Sequence, residues 1–215
     1  MARGSERAKQ WVSTMLHKVA LALSRSIIVC GLFVAVCNGA EPVAPVRAVI
    51  RTEKGDIELE LDAAKAPVTV KNFLKFVDSK YYNGGEFHRT VRPDNQPANK
   101  IKIEVIQASV NPGHAAEEFL PIKLERTSQT KLAHKDGTIS MARDGPDTAT
   151  SDFFICIGDQ PELDFGGKRN PDGQGFAAFG RVTKGMEVVK KIQAAAHREQ
   201  QLTPPIKILE VSRRP

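Results

Sequence analysis

Between Asp56 and Leu61 the chain alternates strictly, with Ile57, Leu59 and Leu61 on one side and Asp56, Glu58 and Glu60 on the other. Side chains of an extended strand point to opposite faces in turn, so this pattern dictates a strand buried on one face only. Glu53, Lys54 and Gly55 form a turn before it and the run VRAVIRT a partner, which makes a hairpin. Further strands are expected over residues 86–90, 101–108, 137–142, 153–157 and 176–182, with PIKILEV near the end as the last. Gly, Pro, Asn and Asp clusters separate them. Many short strands so punctuated favour an all-β sheet or barrel. Two helices interrupt the pattern. Pro67 suits a first turn, after which Val70, Phe73, Leu74 and Val77 form an apolar stripe; Met186, Val189 and Ile192 share a second such face.

The formal charge of +6 on 215 residues invites a nucleic-acid or membrane-surface reading. Its placement removes that reading. Arg3, Arg7, Lys9, Lys18 and Arg25 stand against Glu6 alone, ahead of the apolar run SIIVCGLFVAVC and a small, polar stretch. This is the layout of a secretory signal peptide, and the apolar run falls short of the roughly 20 residues that a spanning helix needs. Met15 is an alternative start, and cleavage fits after Cys37 or Ala40. Val36 is bulky where a lipid-attachment signal wants a small residue, so no lipid anchor is expected and the membrane enters only through targeting. The expected organisation is residues 1–40 as targeting segment, 41–45 as tether and 46–215 as one domain, secreted or in a bacterial periplasm. The retained part has 26 Lys and Arg against 24 Asp and Glu, and of three cysteines only Cys156 remains. Inside FFICIG it reads as a small buried residue.

Several chemistries lack their residues. No His, Cys and acidic set has structural zinc spacing, and neither a phosphate-cradling glycine motif nor a G-x-S-x-G turn occurs. His88, His114, His134 and His197 are scattered, with His88 expected on the face opposite Arg89. Glu104 and Asp152 as hydrolytic carboxylates would need a separation that spacing does not supply. The stretch DNQPANKIK reads as an exposed loop, and Lys168 and Arg169 in GGKRNPDGQG read as solvated. Aromatic residues do not interleave with basic clusters as a stacking platform requires, so no nucleic-acid partner is expected.

One ordered set carries chemistry: FHRTV (residues 87–91), VIQA (105–108), GTISMAR (137–143), SDFFICI (151–157), LDFGG (163–167) and FAAFGRVTKGMEVVKKI (176–192). In order and spacing it resembles the cyclophilin family of peptidyl-prolyl cis-trans isomerases, over about residues 46–211, and most of all its bacterial, secreted members. The resemblance implies a closed eight-stranded antiparallel β-barrel with two capping α-helices, isomerisation of X-Pro bonds and assistance to protein folding, with no cofactor or metal. Partners would be proline-containing polypeptides or unfolded exported proteins, met by a monomer. Arg89 matches the catalytic arginine, Gln107 the groove glutamine and Phe154 the floor of the proline pocket. Val105, Met141, Ala142, Arg143, Leu163 and Phe179 match substrate-side positions. Arg143 stands where asparagine is common, Val105 where methionine is usual, Asp152 where glutamine is frequent, Glu162 where some members carry tryptophan, and Phe176 where many have histidine. Ala108 replaces a glycine, and the segment between Arg89 and Val105 is longer than in compact relatives.

The chemistry follows from the residues themselves. Rotation about a peptide C–N bond surrenders resonance worth about 18–20 kcal/mol, and X-Pro bonds alone have an appreciable cis population. No nucleophile is required. An apolar recess must grip the ring, and a fixed cation must donate to the twisted amide better than to the planar one. Arg89 suits the donor, Phe154 the ring surface, and Gln107 can orient Arg89 and hold a carbonyl. The alternatives are a proline-peptide-binding or chaperone-like domain with weak or absent turnover, and a purely structural barrel.

Overall fold

A computed structural model describes residues 44–114 and 119–214. The targeting segment and its cleavage points lie outside the described residues. The strands are β1 (Val46–Thr52), β2 (Gly55–Leu61), β3 (Glu86–Val91), β4 (Val105–Ser109), β5 (Thr138–Met141), β6 (Phe153–Cys156), β7 (Ala177–Lys184), β8 (His197–Arg198) and β9 (Gln201–Arg214). They pair antiparallel in the order β1-β2-β7-β5-β6-β4-β3-β9, and β9 pairs back onto β1. The result is the expected closed eight-stranded barrel, with β8 a two-residue ribbon on β9.

The hairpin forms as the alternation dictates. Val46 pairs with Leu61 and Thr52 with Gly55, which turns the chain at a φ of +128°. Ile57, Leu59 and Leu61 are buried, while Asp56 is exposed and Glu58 and Glu60 are partly exposed.

Helix α1 (Pro67–Asp78) buries Val70, Phe73, Leu74 and Val77 against the barrel. Pro67 at its start lacks an N–H, and Glu125 takes the next two donors, Val68 N (3.1 Å) and Thr69 N (2.8 Å). A carboxylate at a helix N-terminus satisfies orphan donors and opposes the dipole. A single turn, α2 (Thr127–Thr130), follows Glu125. Helix α3 (Met186–Gln193) packs Val188, Val189 and Ile192 inward, with Met186 only partly buried.

Several expected boundaries shift, three of them with a visible cause. Residues 101–104 are not a strand, because side chains occupy backbone groups a ladder would need: Gln96 receives Ile103 N–H and donates to Ile103 O, and Arg169 donates to Ile101 O. Phe176 precedes β7, its N–H turned to Leu163 O. The last strand begins at Gln201 and continues to Arg214, since it must span β3 and β1 in turn.

The barrel interior holds Phe73, Tyr82, Phe87, Phe153 and Phe179 in mutual contact; Phe73 lies 5.3 Å from Tyr82 and from Phe179 and edge-on to Phe153 at 5.6 Å between ring centroids. Phe73 is thus the α1 residue that ties the helix to the strands. Phe73→Ala is expected to destabilise the protein by about 3–5 kcal/mol, read as a fall in the chemical-denaturation midpoint at unchanged slope.

Candidate active site

Strand β6 is apolar on both faces, and register explains why. Phe153 and Ile155 point into the barrel; Phe154 and Cys156 point out, into a second apolar cluster with Val91, Ile103, Val105 and Leu163. On adjacent strands Arg89 pairs with Gln107, Gln107 with Phe154, and Phe154 with Ser140. Residues directly opposite in neighbouring strands share a face. One row across β3, β4, β6 and β5 therefore carries Arg89, Gln107, Phe154 and Ser140 outward. A bulge at His88 on β3 breaks the simple alternation next to Arg89. The His88 ring Nδ1 is buried without a hydrogen-bond partner, and burial draws its pKa down, against the opposing pull of Asp152.

Above this row opens a recess of about 340 Å³. Of the residues singled out in the sequence, Arg89, Val105, Gln107, Ala142, Arg143, Asp152, Phe154, Leu163 and Phe176 line it. Met141 and Phe179 do not. Both belong to the barrel interior, because Met141 pairs with the inward Phe153, and Phe179 follows the outward row position of Ala178. Their side follows from the strand pairing, which also carries a register shift at Phe179.

The Arg89 guanidinium is held on two sides. Nη1 donates to Gln107 Oε1 (2.9 Å), while Nε and Nη2 both donate to Gln200 Oε1 (2.9 and 2.6 Å). Burial lowers its pKa, but a guanidinium starts so far above neutrality that it stays charged. Five N–H donors less these three leave two for a substrate. Gln107 Nε2 points to Asp152 at a long 3.5 Å. Asp152 has a raised pKa, chiefly from burial, opposed by His88, Gln107 and Ser151 and reinforced by Asp144.

Phe154 rests on a polar prop. His134, fully buried, lies nearly parallel to its ring at 6.0 Å, with Nδ1 2.7 Å from Asp164 Oδ1 and Nε2 3.0 Å from Ser140 Oγ. Burial pushes the Asp164 carboxyl up, but its bonds to His134 and Thr127 together hold it below the ordinary value. The trio has the residue types of a hydrolytic triad, yet Ser140 is wholly buried behind Phe154 and reaches no substrate. Phe176 meets Phe154 edge-on at 5.3 Å.

Arg143 lines the recess with three of its five N–H groups engaged and its charge matched by a carboxylate. Nε donates to Gly175 O (2.8 Å), Nη1 and Nη2 to Asp172 (2.7 and 3.0 Å), and the guanidinium lies 5.0 Å from the Phe176 ring centroid. It fastens the 166–175 loop to the end of β5. Within that loop Arg169 is partly buried, not solvated: Nη1 donates to Gln96 Oε1 (2.9 Å) and Ile101 O (2.7 Å). The DNQPANKIK segment is likewise folded around a buried residue, Gln96, whose amide also donates to Arg92 O (2.7 Å). Ile103, Arg169, Gln96 and Gln200 are site residues that sequence reading missed; only Ile103, apolar in a polar segment, left a local signal. Cys156 is buried and its thiol pKa is pushed up by burial, which leaves it inert. Among the described residues no cluster of His, Cys, Asp or Glu could hold a metal ion, and no helix is long and apolar enough to cross a membrane.

A ring-sized apolar floor stands beside an anchored guanidinium, and the buried His134–Ser140 pair does not line the recess. The family model for cyclophilin type peptidyl-prolyl cis-trans isomerases matches residues 47–213, and the chain belongs to that family. Peptidyl-prolyl cis-trans isomerase A of Dickeya dadantii is 41% identical over 145 residues, 67% of this chain and 69% of that protein. The peptidyl-prolyl cis-trans isomerase of Acinetobacter baylyi is 34% identical over 179 residues, 83% and 82% of the two chains. The crystal structure of a Cryptosporidium parvum cyclophilin type peptidyl-prolyl cis-trans isomerase shares the fold with a TM-score of 0.64 at 22% identity, covering 80% of this chain and 98% of that one. The chain is an enzyme that isomerises X-Pro bonds, binds proline-containing peptides and serves protein folding.

Asp152 gives a test of the site's electrostatics. Its raised pKa means the folded state favours the protonated form, so its contribution to stability is present at low pH and lost as pH rises through the folded value. Asp152→Asn is therefore expected to raise Tm at pH 7, with the gain vanishing below about pH 4, where the carboxyl is protonated in both states.

Proposed function

We propose that Arg89, Gln107 and Phe154 carry the isomerisation, with Val105, Ile103 and Leu163 completing the proline recess. The proline ring sits on Phe154, and the preceding carbonyl lies toward Gln107 and Arg89. As the C–N bond twists, the nitrogen lone pair leaves conjugation and becomes an acceptor. Arg89 retains two N–H donors for it, already oriented and partly withdrawn from water, so the twisted amide gains more than the planar one. No bond breaks and no proton leaves the substrate. The observation that carries this reading is the single cross-strand row that places the anchored guanidinium beside the aromatic floor.

Arg89→Ala is expected to reduce kcat/KM for a proline tetrapeptide by about 10²- to 10³-fold, the scale of losing a preorganised charged donor. Phe154→Ala should act mainly on KM. Retention of full activity in Arg89→Ala would overturn the assignment, and retained peptide binding without acceleration in the unmodified chain would favour a binding module.

Export is also part of this reading. The basic residues before the apolar run SIIVCGLFVAVC and the near-neutral remainder support a cleaved leader and a secreted or periplasmic enzyme of the bacterial type. Its clients would be unfolded exported chains, met by a monomer with no nucleic-acid or lipid attachment. Mass spectrometry of the protein from its native host should find an N-terminus near Asn38 or Glu41; an intact leader on the accumulated protein would reject export with cleavage.

A further inference from the structure

We infer that Gln200 is a positioning residue for Arg89, fixing the plane of its guanidinium while leaving its positive charge uncancelled. The inference rests on the reading of Arg89 as the charged donor. Gln200 is remote in sequence. It sits in the two-residue turn between β8 and β9, where Arg198 pairs with Gln201. Its backbone carbonyl accepts from Thr90 N (2.8 Å), the residue after Arg89, so the turn is seated on β3 itself. Its side-chain oxygen then receives Nε and Nη2 of Arg89 together. Two parallel donors on one acceptor fix direction as well as distance, and with Gln107 on Nη1 the guanidinium is bound along two edges.

The turn has its own support. Glu199 stands in the left-handed region at a φ of +54°, an unusual conformation for a residue with a side chain. Asn95 Nδ2 donates to Glu199 O (3.0 Å) and to Thr90 O (3.0 Å), and Gln200 Nε2 donates to Asn95 O (3.1 Å). Asn95 belongs to the long segment between β3 and β4. That segment therefore holds the clamp from outside, which gives the added length a task at the site.

The neutrality of the clamp matters as much as its geometry. A carboxylate at the same place would accept both N–H groups more strongly, and would also screen the charge that the twisted amide is meant to feel. Arg143, whose guanidinium serves the loop, takes a carboxylate partner in Asp172; Arg89 is held by two amide oxygens.

The test uses the full chain and a proline tetrapeptide, with kcat and KM measured separately and thermal unfolding as the check on folding. Gln200→Ala is expected to lower kcat about 10-fold with KM within about 2-fold, the loss of a charge-assisted bond acting in the transition state. Gln200→Glu keeps an acceptor for Arg89 but adds a negative charge, and should lose at least as much kcat in a protein that still unfolds cooperatively, an outcome that a purely structural role does not give. Gln200→Ala combined with Arg89→Ala should be no slower than Arg89→Ala alone. Unchanged kcat in Gln200→Ala, rescue of kcat by glutamate, or independent losses in the double variant would each overturn the inference. If Gln200→Ala fails to fold, Gln200→Glu decides alone. A fully active Arg89→Ala would fell the underlying assignment as well, whereas an inactive Arg89→Ala beside a fully active Gln200→Ala would fell this inference only.

Discussion

The pairing of β1 with β9 is the constraint on which the site depends. Val49 meets Ser212 and Ile50 meets Val211, so the first and last strands close the sheet upon itself. A closed barrel has an inside that must be apolar and an outside that need not be, and a one-residue slip would exchange the two for every side chain of a strand. Parity thus becomes obligatory around the ring. Phe153 enters the core and Phe154 is turned out beside Gln107. The aromatic floor of the recess is the residue next to a core position, held outside by the closure of strands far from it.

An outward phenylalanine is unstable unless something covers its back. His134 does this, and its position is fixed by bonds at both ring nitrogens, to Asp164 and Ser140. Asp164 also accepts the His134 backbone N–H at 3.0 Å, tying the start of the loop after Leu163 to the chain before β5. Burying these groups is tolerable because each polar atom has its partner. The arrangement turns an exposed aromatic ring into a rigid platform, backed by His134 and walled by Phe176.

Alternation made the hairpin legible, turn-residue clusters bounded the apolar run of β6, and the apolar stripes made both longer helices legible, since these signals are local. Arg89, Gln107 and Phe154 emerged through the resemblance of ordered motifs, and the register then placed them in one row. The misplaced residues, Met141 and Phe179, are apolar residues within those motifs, where composition does not tell inside from outside. Their strand partners do. Gln200 and Asn95 had no local signature: the first is 111 positions from Arg89 and the second 105 from Gln200. Gln96 and Arg169 were read as solvated for the same reason, because a polar residue in a polar loop becomes a buried linchpin only when another segment closes over it.

The arginines of the domain divide by what holds them. Arg51 pairs with Glu210, Arg181 with Glu60, Arg213 with Asp78 and Arg143 with Asp172. These pairs join strand to strand, strand to helix or loop to loop, and each matches the guanidinium charge with a carboxylate. Arg89 and Arg169 are bound instead by amide and backbone oxygens; burial lowers the pKa of both, and Arg89 adds to the lowering at Arg169. Neutral oxygens orient a guanidinium while leaving its field to extend into the recess. In a partly enclosed site that field is worth more than in water. In the proposed mechanism it falls on a peptide seated over Phe154, where the group that gains electron density is the twisting amide nitrogen. At Arg89 the two amide partners thus hold the guanidinium in place without discharging it.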